Sequence, residues 1–279
     1  MDTHLIVILG LLTGGLINTL ADDLPAARMP RLPRYPDGRR RPRRAWLGIT
    51  AFALGLRTAP EPATGASTGD DCERRRLSWR HPLVEVASAA LMALAFEIAR
   101  DMRSLALEET LIWLALAALF VLIAVIDLER LRVLYTPTLA CGLLAIIGAI
   151  AFPQSPPTIA SMLVGAACAG FTFSLVCLGG RLFARAALRH QREPMTVFGR
   201  GDVTLMTLGG FIVGFPYVWV AMALAIILGG CGALVFLLAK SASGGYRRFS
   251  AMPYAPYILA STYLVMLLGD ELNHLIAGL

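Results

Sequence analysis

Lysine is nearly missing from this chain: of its 25 basic side chains one is a lysine, Lys240, and the rest are arginines. Charge of either sign is scarce, at 16% of residues, where an ordinary soluble domain carries about 25%. That shortage, set against 57% hydrophobic residues, excludes a conventional water-soluble globule. There are five cysteines and no secretory spacing among them. Cys141, Cys168, Cys177 and Cys231 fall inside apolar runs, where a thiol packs as a small apolar group, so no disulfide framework is indicated. The histidines, His4, His81, His190 and His274, have no ligand spacing to one another, and no metal is assigned to them.

Long apolar runs, by contrast, are abundant, and the mean hydropathy is +0.66. A bilayer core needs about 20 mainly apolar residues per helix, and eight stretches qualify as candidates, near residues 4–20, 83–99, 110–126, 136–152, 158–180, 203–215, 216–239 and 255–269. The expected fold is an all-α polytopic membrane bundle of about eight transmembrane helices. The first stretch has no basic leader and no convincing cleavage site, and reads as a retained span. The organisation expected is a first span over 1–20, an Arg-rich loop over 21–82 and a membrane core over 83–279.

Short Arg-rich loops stay on the cytoplasmic side of a membrane. The segment from Ala21 to His81 holds 13 arginines, including "RRRPRR" at 39–44. Counting onward, the loops 127–135, 181–202 and 240–254 are also basic, whereas "FPQSPP" and "GFPY" carry no charge. Eight spans with both termini outside fit every loop except "RDMRSLALEE", whose charge is mixed. The net charge of +6 therefore records topology, not a nucleic-acid partner, and the arginines offer anionic lipid headgroups a secondary docking surface. Within the first loop, "AWLGITAFALGL" at 45–56 is too short to span and is expected to be an interfacial or packed helix.

Carboxylates near lipid are costly and so mark function. Asp127 closes the third candidate span in "AVIDLERLRVLYTPTL", and Asp202 opens the sixth in "FGRGDVTLMTLGGFIVG". The alternating topology puts both at one membrane boundary. Two carboxyls that meet share a proton, which suits one to activate water and the other to polarise a carbonyl. Asp202, at a helix start, favours the ionised role, and Asp127, at a helix end, the protonated one. Gly199 and Gly201 are expected to permit positive φ and bring a substrate close to the acid. Each acid also has an ordinary reading, Asp202 as a helix N-cap and Asp127 as the first solvated loop residue.

These two motifs resemble those of type IV prepilin peptidases: the Gly-x-Gly-Asp at 199–202 and the first aspartate motif around Asp127. Three further stretches are similar, in order along the chain: "LLTGGLINTLADDLP" to the family's first span, "SWRHPLVEVASAALMALAF" to the start of its second helix, and "MPYAPYILAS" to the Pro-containing start of its last. Presenilin-like proteases share the Gly-x-Gly-Asp but pair it with Tyr-Asp, and here Ile126 precedes Asp127. The resemblance implies a multi-pass enzyme of the bacterial cytoplasmic membrane that removes a short basic leader from prepilin or pseudopilin precursors. In many members it also implies methylation of the new amino terminus with S-adenosylmethionine. Arg80 and Glu85, flanking Pro82, are candidates for the substrate or methyl-donor region, with pairing as their ordinary reading. Many members carry two CxxC pairs in the first loop, a zinc site; this loop has Cys72 alone, so zinc is not expected. Leu134-Tyr135 stands where the family often has Pro-Asp. The alternative function is that of a non-catalytic membrane protein or transporter using its acids as a proton or cation path.

Overall fold

A computed structural model describes residues 2–26, 28–60, 76–187, 199–242 and 252–277. All eight apolar stretches are helical: α1 Thr3–Asp23, α3 Arg80–Glu97, α4 Leu107–Arg130, α5 Tyr135–Ala151, α6 Ile159–Ala187, α7 Arg200–Val213, α8 Val218–Ala242 and α9 Ala255–Ala277. A short α2, Gly48–Ala53, lies in the first loop. Five helices, α1, α3, α4, α6 and α8, are long and apolar enough to cross a membrane. The others are shorter: α5 has 17 residues, α7 has 14, and the apolar part of α9 ends at Gly269, beside a kink at Leu268. At 1.5 Å per residue α7 is about 21 Å long, less than a bilayer core of about 30 Å. Length therefore supports five of the eight expected crossings. Large side chains such as Leu139, Ile150, Phe171, Ile226 and Leu238 stay exposed, as suits helices whose outer faces meet lipid.

The chain divides into two compact units within α4, Met1–Val125 and Ile126–Leu279. In the first, α1 and α3 pack closely because Gly10 and Gly14, one turn apart, lie against Ala89 and Glu85; a Cβ at either would come within 2.5 Å of the facing Cα. The expected packed helix in "AWLGITAFALGL" is α2. It belongs to a small core of Tyr35, Ala45, Ala51, Ala59 and Leu77, with Phe52 and Leu56 against it. The Tyr35 hydroxyl donates to the Leu56 carbonyl at 2.9 Å, and the Arg57 guanidinium lies 4.5 Å from the Phe52 ring centre and 5.3 Å from that of Trp79. Cys72 and the Pro- and Ser-containing stretch around it lie outside the described residues.

In the second unit α7 is the central element, packed against α5, α6, α8 and α9. That burial explains how a 14-residue helix carrying an acid in its first turn is held in place. Its N-terminus, the last turn of α4 and the start of α9 form the site.

Candidate active site

Asp127 lies in the last turn of α4 and is 5% exposed, so it is not a solvated loop residue. The helix ends three residues later because Leu131 adopts a left-handed φ of 51°, and its N–H closes the turn onto the Asp127 carbonyl at 2.8 Å. The backbone N–H of Ala255, the first residue of α9, lies close enough to act on the Asp127 carboxyl. Its Oδ2 is buried and has no hydrogen-bond partner among the described residues.

Asp202 is the third residue of α7, and the N-cap is Gly199, not the acid itself. Its Oδ2 reaches back to accept the Gly199 N–H at 3.1 Å, which satisfies one of the orphan donors of a helix start. The carboxylate thus sits where the helix dipole favours negative charge. The two acids are near enough for the charge of Asp127 to act on Asp202. Residues 75 positions apart in sequence therefore converge on one locus.

The glycines work differently from expectation. Neither Gly199 nor Gly201 has a positive φ; Gly199 is extended, at φ −81° and ψ 150°. What Gly201 supplies is close approach: a Cβ there would come within 2.7 Å of Val133 Cγ2. Val133 belongs to the turn that follows Asp127, so the missing side chain lets the turn carrying one acid touch the helix carrying the other. At Gly199 a Cβ would meet Asp202 Oδ2 at 3.3 Å, crowding the carboxylate itself.

Tyr254 completes the locus, and no sequence signal assigned it a role. Its hydroxyl donates to the Ala225 carbonyl at 2.9 Å. Burial, and then the charge of Asp202, push its phenol pKa up. The Pro-flanked stretch "MPYAP" was the visible trace of this corner.

Arg80 and Glu85 lie in the other unit. Arg80 pairs with Asp22 at 2.8 Å. Glu85, 1% exposed, accepts the N–H groups of Gly48 and Ile49 and so caps the start of α2. Beside it Arg41 donates to His81 Nε2 at 2.9 Å; a guanidinium only donates, so His81 carries its proton on Nδ1, which faces the Ser78 carbonyl at 3.2 Å. Asn18 ties the same helix to α1 by donating to the His81 carbonyl at 3.0 Å. Glu97, in the same unit, receives the Thr3 hydroxyl. Among the described residues no three potential ligands of His, Cys, Asp or Glu type come together.

Residues 114–234, somewhat less than half of the chain, match the model of the type IV leader peptidase family. That stretch contains Asp127, Gly199, Gly201 and Asp202. No curated protein and no solved structure gives a significant match. The family match supports a prepilin peptidase family assignment, and with it hydrolase chemistry on a peptide in a membrane setting.

Proposed function

We propose that this chain is a membrane aspartic endopeptidase that removes the short basic leader from type IV prepilins or pseudopilins on the cytoplasmic side. The observation that carries the reading is the convergence of Asp127 and Asp202 from two separated motifs onto one locus. A water between the carboxyls gives a proton to Asp202 as its oxygen attacks the scissile carbonyl carbon. Asp127 passes its proton to the carbonyl oxygen. As the tetrahedral species collapses, Asp127 takes back a proton from one of its two hydroxyls, Asp202 gives its proton to the departing amine and the C–N bond breaks, restoring the single shared proton. The Gly199 N–H and the start of α7 favour the ionised role for Asp202. The buried Oδ2 of Asp127, without a partner among the described residues, suits the oxygen that faces the reactants.

The substrate's apolar helix would lie in the bilayer with its scissile bond at the water boundary, a helix-in-groove arrangement. Arg80 and Glu85 are engaged by the fold, so the reading gives them no part in methyl transfer from S-adenosylmethionine. The first loop supplies one thiolate, Cys72, where a zinc site needs four ligands, so no step runs through a metal. The test is mass spectrometry of a pilin precursor co-expressed with the enzyme: leader loss and an added methyl group give separate mass changes. Unprocessed precursor beside wild-type protein would favour an ion path through the same acids.

A further inference from the structure

The catalytic cycle leaves the first loop without a task, and its described part has two features that a topology signal does not need. One is its depth. The start of α2 is wedged between α1 and α3, both long and apolar enough to cross a membrane. Leu47 lies against Gly15 of α1, where a Cβ would come within 2.7 Å of Leu47 Cδ2, and a Cβ at Gly48 would come within 2.6 Å of the His81 Cβ in the first turn of α3. Glu85, which caps Gly48 and Ile49, belongs to the next turn of the same helix. Residues 80–85 rise about 8 Å along the axis, so α2 is held within about 10 Å of the end of a span, the depth at which an interfacial helix lies. Backbone donors at that depth have to be met by the protein, which is the use of Glu85.

The other feature is what stays exposed. Trp46, Leu54 and Trp79, next to α2 on either side and at the entry to α3, are 40%, 57% and 61% exposed. Indole rings at the end of a span belong at the headgroup level, where one edge is wet and the other apolar. The Trp79 ring lies 4.7 Å from that of Phe52, with the Arg57 guanidinium over it, which ties this edge to α2. Arg43 and Arg44, in the turn just before Trp46, are exposed and form no ion pair among the described residues. Such a surface repels a basic leader and attracts phosphate.

We propose that α2 and the turn before it form a binding surface for anionic phospholipid: Arg43 and Arg44 hold headgroup phosphates while Trp46, Leu54 and Trp79 rest on the upper acyl carbons. The inference does not rest on the peptidase reading and survives its failure.

The chain has four tryptophans, and Trp113→Phe with Trp219→Phe leaves Trp46 and Trp79 as the reporters. The full-length protein is placed in vesicles of phosphatidylcholine and phosphatidylglycerol at one fixed composition, with bromine on the upper acyl carbons of either the neutral or the anionic lipid. Both brominated lipids quench the fluorescence, and the anionic one quenches more per molecule. That preference falls about fivefold for each of Arg43→Gln and Arg44→Gln, the factor that one basic side chain contributes at an anionic surface. It weakens as salt is added, and it is kept in Arg43→Lys with Arg44→Lys, because the charge is kept. Absence of quenching by either lipid overturns the inference, as does equal quenching by both, or a preference unchanged in the double glutamine variant. Quenching relieved by added pilin precursor also overturns it and gives the surface to the substrate. If the protein lacking Trp113 and Trp219 fails to accumulate, melting of the otherwise unaltered chain decides. Phosphatidylglycerol then raises the melting temperature of the wild-type protein more than that of the double glutamine variant, and equal shifts overturn the inference.

Discussion

Each unit of this molecule buries a carboxylate, and the two are treated in opposite ways. Glu85 is 1% exposed and both its oxygens are taken, Oε1 by the Gly48 N–H and Oε2 by that of Ile49 at 2.8 Å, with the guanidinium of Arg41 near. Asp127 is 5% exposed and has one oxygen with no partner among the described residues. A buried acid whose acceptors are all used is a structural tie, since a reactant would have to displace bonds already made. A buried acid with an idle oxygen and a second carboxyl beside it is arranged to take part in chemistry. Depth alone does not separate the two; hydrogen-bond satisfaction does.

The largest expected effect breaks the comparison at its reactive end. Asp127→Asn and Asp202→Asn each lower precursor cleavage by about 10,000-fold, the scale of removing a member of a catalytic group that acts as a unit. Both variants accumulate in the membrane at wild-type levels, since an amide keeps the size and one acceptor of the acid. Cleavage retained in either, in a gel or mass assay of the precursor, would remove the dyad.

At the structural end, Glu85→Ala strands two N–H groups, one buried and one part-buried, and costs about 2–4 kcal/mol of stability. The expected signature is a loss of folded protein in a thermal assay with kcat per folded molecule unchanged, the inverse of the aspartate variants. A Glu85→Ala protein with wild-type melting and no activity would move Glu85 to the catalytic side of the comparison.

Between these lies the contact that joins the two acid motifs. Gly201→Ala forces a Cβ to within 2.7 Å of Val133 Cγ2, while Gly199→Ala meets Asp202 Oδ2 at 3.3 Å. Overpacking of the first kind costs about 1–3 kcal/mol, and here relief comes by separating α7 from the turn after Asp127. Gly201→Ala therefore lowers kcat more than Gly199→Ala does. Equal or reversed effects would mean that the approach of the two motifs is not what Gly201 secures.

Much of this arrangement was legible in the sequence, because hydropathy reports long apolar helices directly. All eight stretches are helices, and the Gly-x-Gly-Asp and Ile-Asp motifs located both acids. What could not be read was satisfaction. Nothing in "RHPLVE" shows that Glu85 accepts from the backbone of residues 48 and 49, some 36 positions away. Such bonds depend on tertiary placement of orphan donors at helix starts. The glycine reading failed for a related reason: positive φ is one use of a missing Cβ and close approach is another, and sequence does not distinguish them. Helix length was legible but was overruled by the count of apolar runs, which set a 14-residue α7 beside helices of 24 residues and more.

The smallest expected effect concerns what holds the first loop. A zinc site of the tetrathiolate kind fixes a loop by itself, and removing the metal unfolds it. Here the described part of the loop is held otherwise: by Glu85 capping α2, by Arg41 on His81, by the core of Tyr35, Ala51 and Leu77, and by Arg57 against Phe52 and Trp79. These contacts are made by carbon, nitrogen and oxygen groups that no chelator competes for. A strong chelator should therefore leave both melting temperature and cleavage within error of the untreated protein, and Cys72→Ser should do the same. Metal analysis of the purified protein provides the check. Stoichiometric zinc, with activity lost on chelation and regained on adding zinc, would show that ligands other than the paired cysteines had been recruited, and the loop would join the metal-ordered class after all.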